Sequence, residues 1–155
     1  MSGPSVLVLH HTASPASWRR EDVLRAHKAR GFRDVGYHEL VYYSTEGGAH
    51  IEGGRPYDLD DEWEPWEMGA HVRGHNADSW AAALVGNYDV DEPPEELLQA
   101  AAVLFASRCL QWQLDPFQAI RGHRELAATA CPGRFVDLGA FRRRVASLIN
   151  PPPRS

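Results

Sequence analysis

The chain has 155 residues, 43% of them apolar and 24% charged, a size and balance that fit one globular domain built on one core. Its formal net charge of −5 argues against a partner held mainly through phosphates, so no nucleic acid is expected. No run of residues has the length and apolarity of a membrane-spanning helix, and no membrane insertion is expected.

The opening "MSGPSVLVLHH" lacks a basic n-region, and its apolar run is too short for a signal peptide. A cytoplasmic protein is expected on that ground. Within this opening, "SVLVLHH" reads as a strand buried on both faces. "SWRREDVLRAHKARG" reads as a helix, with Ser17 as N-cap and Gly31 as its stop. "GYHELVYYS" is rich in β-formers, "TEGG" supplies a turn, and "AHIEGGRP" supplies a second short strand. Residues 57–69 form an acidic, irregular loop carrying Trp63 and Trp66, and its carboxylates are expected to be solvated.

"SWAAALVGNYD" supplies a central strand, and "DEPPEELLQ" opens a long helix with prolines at its first turn. Leu98, Ala102, Phe105, Cys109 and Trp112 share one face of that helix, which makes Cys109 a small buried hydrophobe. "DLGAFRRRVASLI" is a final amphipathic helix stopped by "NPPP". Strands and helices alternate without a strict βαβ order. The expected fold is α/β, one domain with a central mixed sheet flanked by helices.

Cys131 stands apart from this pattern, in a Cys-Pro-Gly turn with no apolar periodicity around it. His123 lies eight residues before it, and Pro132 and Gly133 can fold that loop back on itself. His10 and His11 end the first strand, where open sheets tend to place their sites, but they point to opposite faces. One of the two, together with His123 and Cys131, makes a His2Cys set. Three protein ligands leave one tetrahedral position open, as in a catalytic zinc site. His71 and His75 offer a competing i, i+4 pair, but Gly69 and Gly74 interrupt the helix that this pair requires.

"LHHTAS", "GYHELV", "GAHVRGHN", "SWAAALVGNYD" and "GHRELAATACPG" occur in the same order in the zinc-dependent N-acetylmuramoyl-L-alanine amidases of type 2. The chain resembles that family, which includes bacteriophage T7 lysozyme and the peptidoglycan recognition proteins, from about Val6 to Gly133. The resemblance implies an amidase domain over residues 1–150 and a Pro-rich tail at 151–155. It implies Zn2+ held by His10, His123 and Cys131, and a catalytic Tyr37. The implied reaction is cleavage of the amide between N-acetylmuramic acid and the L-alanine of the stem peptide.

Three positions depart from the family pattern. Several relatives have a lysine where this chain has Thr129, whose hydroxyl brings a hydrogen bond but no charge. Wall-recycling members have a glutamate where this chain has Ala83. Glu39, two residues after Tyr37 and so on the same strand face, is a candidate for the base. His71 and Asn76 match positions lining the substrate groove, and Arg55 is a candidate for meeting a substrate carboxylate. His27 and His50 are assigned to structure or solvent.

The implied role is a phage endolysin that waits in the host cytoplasm until released to the wall. It acts as a monomer on peptidoglycan and has no separate wall-binding domain. Two rivals stand beside it: a recognition module that binds muropeptide without cutting, and a cytosolic recycling amidase. Cys131 with Tyr37 weighs against the first, Ala83 and Thr129 against the second.

Overall fold

The computed structural model describes residues 3–151. The expected tail at 151–155 therefore lies, apart from Pro151, outside the described residues. Five strands form one mixed sheet: β1 (Val6–His11), β2 (Glu39–Ser44), β3 (Gly48–Gly53), β4 (Ser79–Leu84) and β5 (Ile120–Gly122), in the order β3-β2-β4-β1-β5. Only the β2–β3 hairpin is antiparallel; β1, β2, β4 and β5 run parallel. The central pair is covered on both sides, which is why "VLVLHH" and "SWAAAL" read as continuous apolar runs instead of alternating ones.

On one face lie α2 (Glu95–Trp112) and α4 (Leu138–Ile149). Phe105 of α2 sits edge-on between Trp80 of β4 and Phe141 of α4, each ring 5.1 Å away. Truncating such a buried aromatic costs about 3–5 kcal/mol. Cys109 is buried in this core, as its helical spacing indicated. On the other face, Val23 of α1 (Arg20–Ala29) packs with Leu40, Ala83 and Val85. Ala83 lies opposite His10 in register.

The α1 cap differs from expectation. Arg19, not Ser17, is the N-cap, and its backbone N–H donates to the Asp22 carboxylate over 2.9 Å. An acceptor three residues into the helix supplies that end, so Ser17 is not needed. Gly31, at φ +94°, does follow the helix end.

Two short elements carry no sequence signal of their own: α3 (Pro116–Ala119) and β5. Of the two, β5 sets the geometry at the sheet edge. It pairs parallel with β1, Leu9 opposite Gly122, so the next residues, His10 and His123, emerge side by side at the carboxyl ends of adjacent strands. Gly122 has to be glycine there, because a Cβ would lie 2.4 Å from the Leu138 side chain. Among the described residues no helix is long and apolar enough to cross a membrane.

Candidate metal centre and groove

His10, His123 and Cys131 each offer one ligand atom, and these atoms lie within 4.8 Å of one another. The His10 and His123 ring centroids are 4.7 Å apart, and His10 Nδ1 is 3.6 Å from Cys131 Sγ. With Zn–N near 2.1 Å and Zn–S near 2.3 Å, a tetrahedral zinc has an N···S edge of about 3.6 Å, so the donor set fits. Burial, then the neighbouring His71 and His123, holds the His10 imidazole well below its usual pKa. His123 is lowered by burial too. Both rings are therefore neutral at pH 7 with a lone pair to give, as a metal requires. Burial pushes the Cys131 thiol up to about 12, and a cation is the natural counter-charge for its thiolate. The His11 N–H already donates to that sulfur over 3.3 Å.

The stretch "GHRE" builds this arrangement letter by letter. Gly122 admits Leu138, and His123 is the ligand. The Arg124 backbone N–H donates to the Cys131 carbonyl, while its guanidinium donates to the carbonyls of Gly133 and Val136. The Glu125 carboxylate accepts from the Gly122 N–H and pairs with Arg142 of α4. Gly133, at φ +109°, passes so close to Tyr88 that a Cβ would clash with its backbone at 2.4 Å. Thr129 Oγ1 accepts the Cys131 N–H, leaving its own hydrogen free to donate.

The cluster opens on a groove of about 790 Å³ whose walls include Tyr37, His27, His71, Asn76 and Thr129. The Tyr37 ring lies 4.9 Å from His10 and 5.3 Å from His27. Burial, then the neighbouring Cys131, raises the Tyr37 phenol above its ordinary pKa, so it stays protonated and acts as a donor. Arg30 and Arg73, both exposed, line the same groove.

Several expected site residues lie elsewhere or are otherwise engaged. Glu39 does not share a face with Tyr37: β2 begins only at Glu39, the bends before it break the alternation, and the Glu39 carboxylate accepts from the Tyr57 hydroxyl. Arg55 does not line the groove. It is 6% exposed, its guanidinium donates to the carbonyls of Val35 and Met68, and its N–H donates to the Tyr37 carbonyl. Arg55 thus props the segment carrying Tyr37 instead of facing a ligand. Asn76 lines the groove, yet its Oδ1 accepts from the N–H groups of His71 and Val72. His71 also lines it, with its two ring nitrogens bonded to His10 and Ser79.

In the 57–69 loop, Trp63 is buried in the core and Trp66 is exposed. Glu67 is fully buried, its carboxylate accepting the N–H groups of Asp58 and Glu64, so this one carboxylate is not solvated. Sequence reasoning also passes over His27. Its Nδ1 accepts the Gly36 N–H, a signal readable only once Gly36 and α1 are known to touch.

Residues 1–134 match the family model described as N-acetylmuramoyl-L-alanine amidase. A short peptidoglycan-recognition protein of Drosophila simulans is 31% identical over 138 residues, 84% of this chain and 69% of that protein. The N-acetylmuramoyl-L-alanine amidase of Sus scrofa is 32% identical over 138 residues, 82% of this chain and 21% of the relative. The Ph2119 endolysin of Thermus scotoductus MAT2119 bacteriophage Ph2119 superposes with a TM-score of 0.74 at 26% identity, covering 94% of this chain and 86% of the endolysin. The motifs, the sheet topology and the His-His-Cys cluster agree with these likenesses, and the chain belongs to the type 2 N-acetylmuramoyl-L-alanine amidase family.

Proposed function

We propose that this chain is a zinc-dependent amidase that hydrolyses the bond between N-acetylmuramic acid and the L-alanine of the peptidoglycan stem peptide, and that it serves as a phage endolysin. The observation that carries this reading is the position of Tyr37, a protonated donor 4.9 Å from His10, beside a complete His2Cys donor set in one groove. A recognition module needs neither the cysteine nor the tyrosine. The likeness to the Thermus phage endolysin over most of both chains supports the lytic role.

His10, His123 and Cys131 would hold the ion. Bound zinc supplies Lewis acidity toward the amide carbonyl and lowers the pKa of the attacking water. The chain's own residues account for the rest. Water adds to the carbonyl carbon, the C–N bond breaks, and the leaving amine takes up a proton. The Tyr37 O–H donates to the oxygen on which negative charge develops, and the Thr129 hydroxyl is a second donor on the same wall. Asn76 holds the loop that forms another part of that wall.

The test pairs zinc content with release of stem peptides for wild type and Cys131→Ser. Loss of both together in the variant is the expected result. Undiminished cleavage by a zinc-free variant would overturn the metal-dependent reading.

A further inference from the structure

His10 is the first residue of a hydrogen-bonded chain that leaves the metal centre and ends on a backbone carbonyl. His10 Nε2 lies 2.9 Å from His71 Nδ1, His71 Nε2 lies 3.0 Å from Ser79 Oγ, and Ser79 Oγ lies 2.6 Å from the His75 carbonyl oxygen. A carbonyl can only accept, so the direction of every proton in the chain follows from that end. The Ser79 hydroxyl gives its single hydrogen to His75. Its oxygen therefore accepts from His71, which places the His71 proton on Nε2. Neutral His71 then has a bare Nδ1, and His10 must donate to it from Nε2. His10 is left with its lone pair on Nδ1, the nitrogen that faces Cys131 Sγ at 3.6 Å.

We propose that His71, fixed by Ser79, is the positioning residue that holds His10 in its metal-binding tautomer and orientation. A carboxylate or carbonyl commonly does this for a zinc-bound histidine; here a second imidazole does.

The scaffold around the pair is built for that task. Ser79 is fully buried at the start of β4, pinned by its register with Val6 of β1. The backbone of His71 is pinned by Asn76, whose Oδ1 accepts the N–H groups of His71 and Val72, and the His75 N–H closes the turn on the Val72 carbonyl. The His71 ring stands edge-on to His10 at 5.0 Å. A residue free to engage substrate would not have both ring nitrogens committed to the protein.

The proposal rests on the zinc reading of the site, and two measurements separate them. The first needs no metal: long-range 1H–15N correlation spectra of the metal-free protein report the tautomer of each histidine. His10 is expected as the Nε2–H form in wild type and as a mixture in His71→Leu. The second is zinc competition against a chromogenic chelator. His71→Leu is expected to weaken zinc binding about 10- to 100-fold. His71→Asn, whose Oδ1 replaces Nδ1 as acceptor, is expected to recover most of that loss.

Ser79→Ala perturbs the fold less and is expected to shift both readouts in the same direction by a smaller amount. Wild-type zinc affinity and an unchanged His10 tautomer in His71→Leu would overturn the proposal alone. A wild-type chain that takes up no zinc would overturn the zinc reading and this proposal with it.

Discussion

The backbone N–H of Arg124 donates to the carbonyl of Cys131 over 2.7 Å, tying the residue after one candidate ligand to the other ligand itself. The Arg124 guanidinium then holds the following turn at Gly133 and Val136. These contacts keep the sulfur beside the imidazoles although eight residues separate His123 from Cys131. Hydrogen bonds from a charged donor contribute about 1.5–3 kcal/mol each, reduced here because Arg124 is half-exposed. Arg124→Ala is expected to destabilise the metal-free protein by about 2 kcal/mol in urea unfolding. It is also expected to weaken zinc binding in chelator competition, with Cys131 itself intact.

Tyr37→Phe removes a single donor and leaves the ring packing against His10 and His27 in place. Losing one donor to a developing oxyanion costs about 10²–10³ in rate. The variant is expected to keep its zinc and its thermal midpoint while kcat falls by about that factor. Wild-type turnover in this variant would remove Tyr37 from the chemistry.

Glu39 is a reasonable candidate for the base only if Tyr37 lies in the same strand, and it does not. Its carboxylate is raised above its ordinary pKa, first by burial, while the Tyr57 hydroxyl that it accepts opposes the shift. Glu39→Gln is expected to leave turnover within about twofold of wild type, with an unshifted pH–rate profile. The raised pKa means that ionising Glu39 in the folded state costs stability as pH rises above about 4.3. The glutamine variant is therefore expected to be at least as stable as wild type at pH 7.

His38 connects the sheet to the 57–69 loop: the Ala81 N–H donates to Nδ1 and Nε2–H donates to the Glu67 carbonyl. It is fully buried, and burial, more than any neighbour, lowers its pKa to about 4. The unfolded chain takes up a proton near pH 6.5 and the folded protein only near pH 4. The stability this residue contributes is thus fully present above pH 6.5 and is lost as pH falls toward 4. The loss is on the order of 3 kcal/mol. The urea midpoint is expected to drop across that window, and His38→Gln is expected to flatten the drop while lowering stability at pH 7.

What can be read from the sequence tracks the physics of each element. β1 and β4 are visible because a strand covered on both faces must be apolar throughout, and α2 because its buried face repeats at helical spacing. The His-His-Cys set is visible because Cys131 sits where packing offers no reason for a cysteine, although choosing His10 over His11 takes the family resemblance. β5 is three residues long and has no pattern of its own; it exists because β1 offers it a partner.

Arg55 and His71 escape a sequence reading for a shared reason. Each is defined by partners far away in the chain: Arg55 by the carbonyls of Val35 and Met68, His71 by His10 across 61 residues. Local spacing records neither contact. Asn76 lines the groove, but its work in bracing the loop depends on a turn that only the fold reveals.

The most direct test is digestion of purified peptidoglycan by the wild-type chain, with chelator and after zinc is restored, with mass analysis of the products. Stem peptides beginning at a free L-alanine amine, absent under chelation and restored by zinc, are the expected result. Peptidoglycan that binds the protein yet stays intact in the presence of zinc would contradict the amidase reading and leave a recognition module in its place.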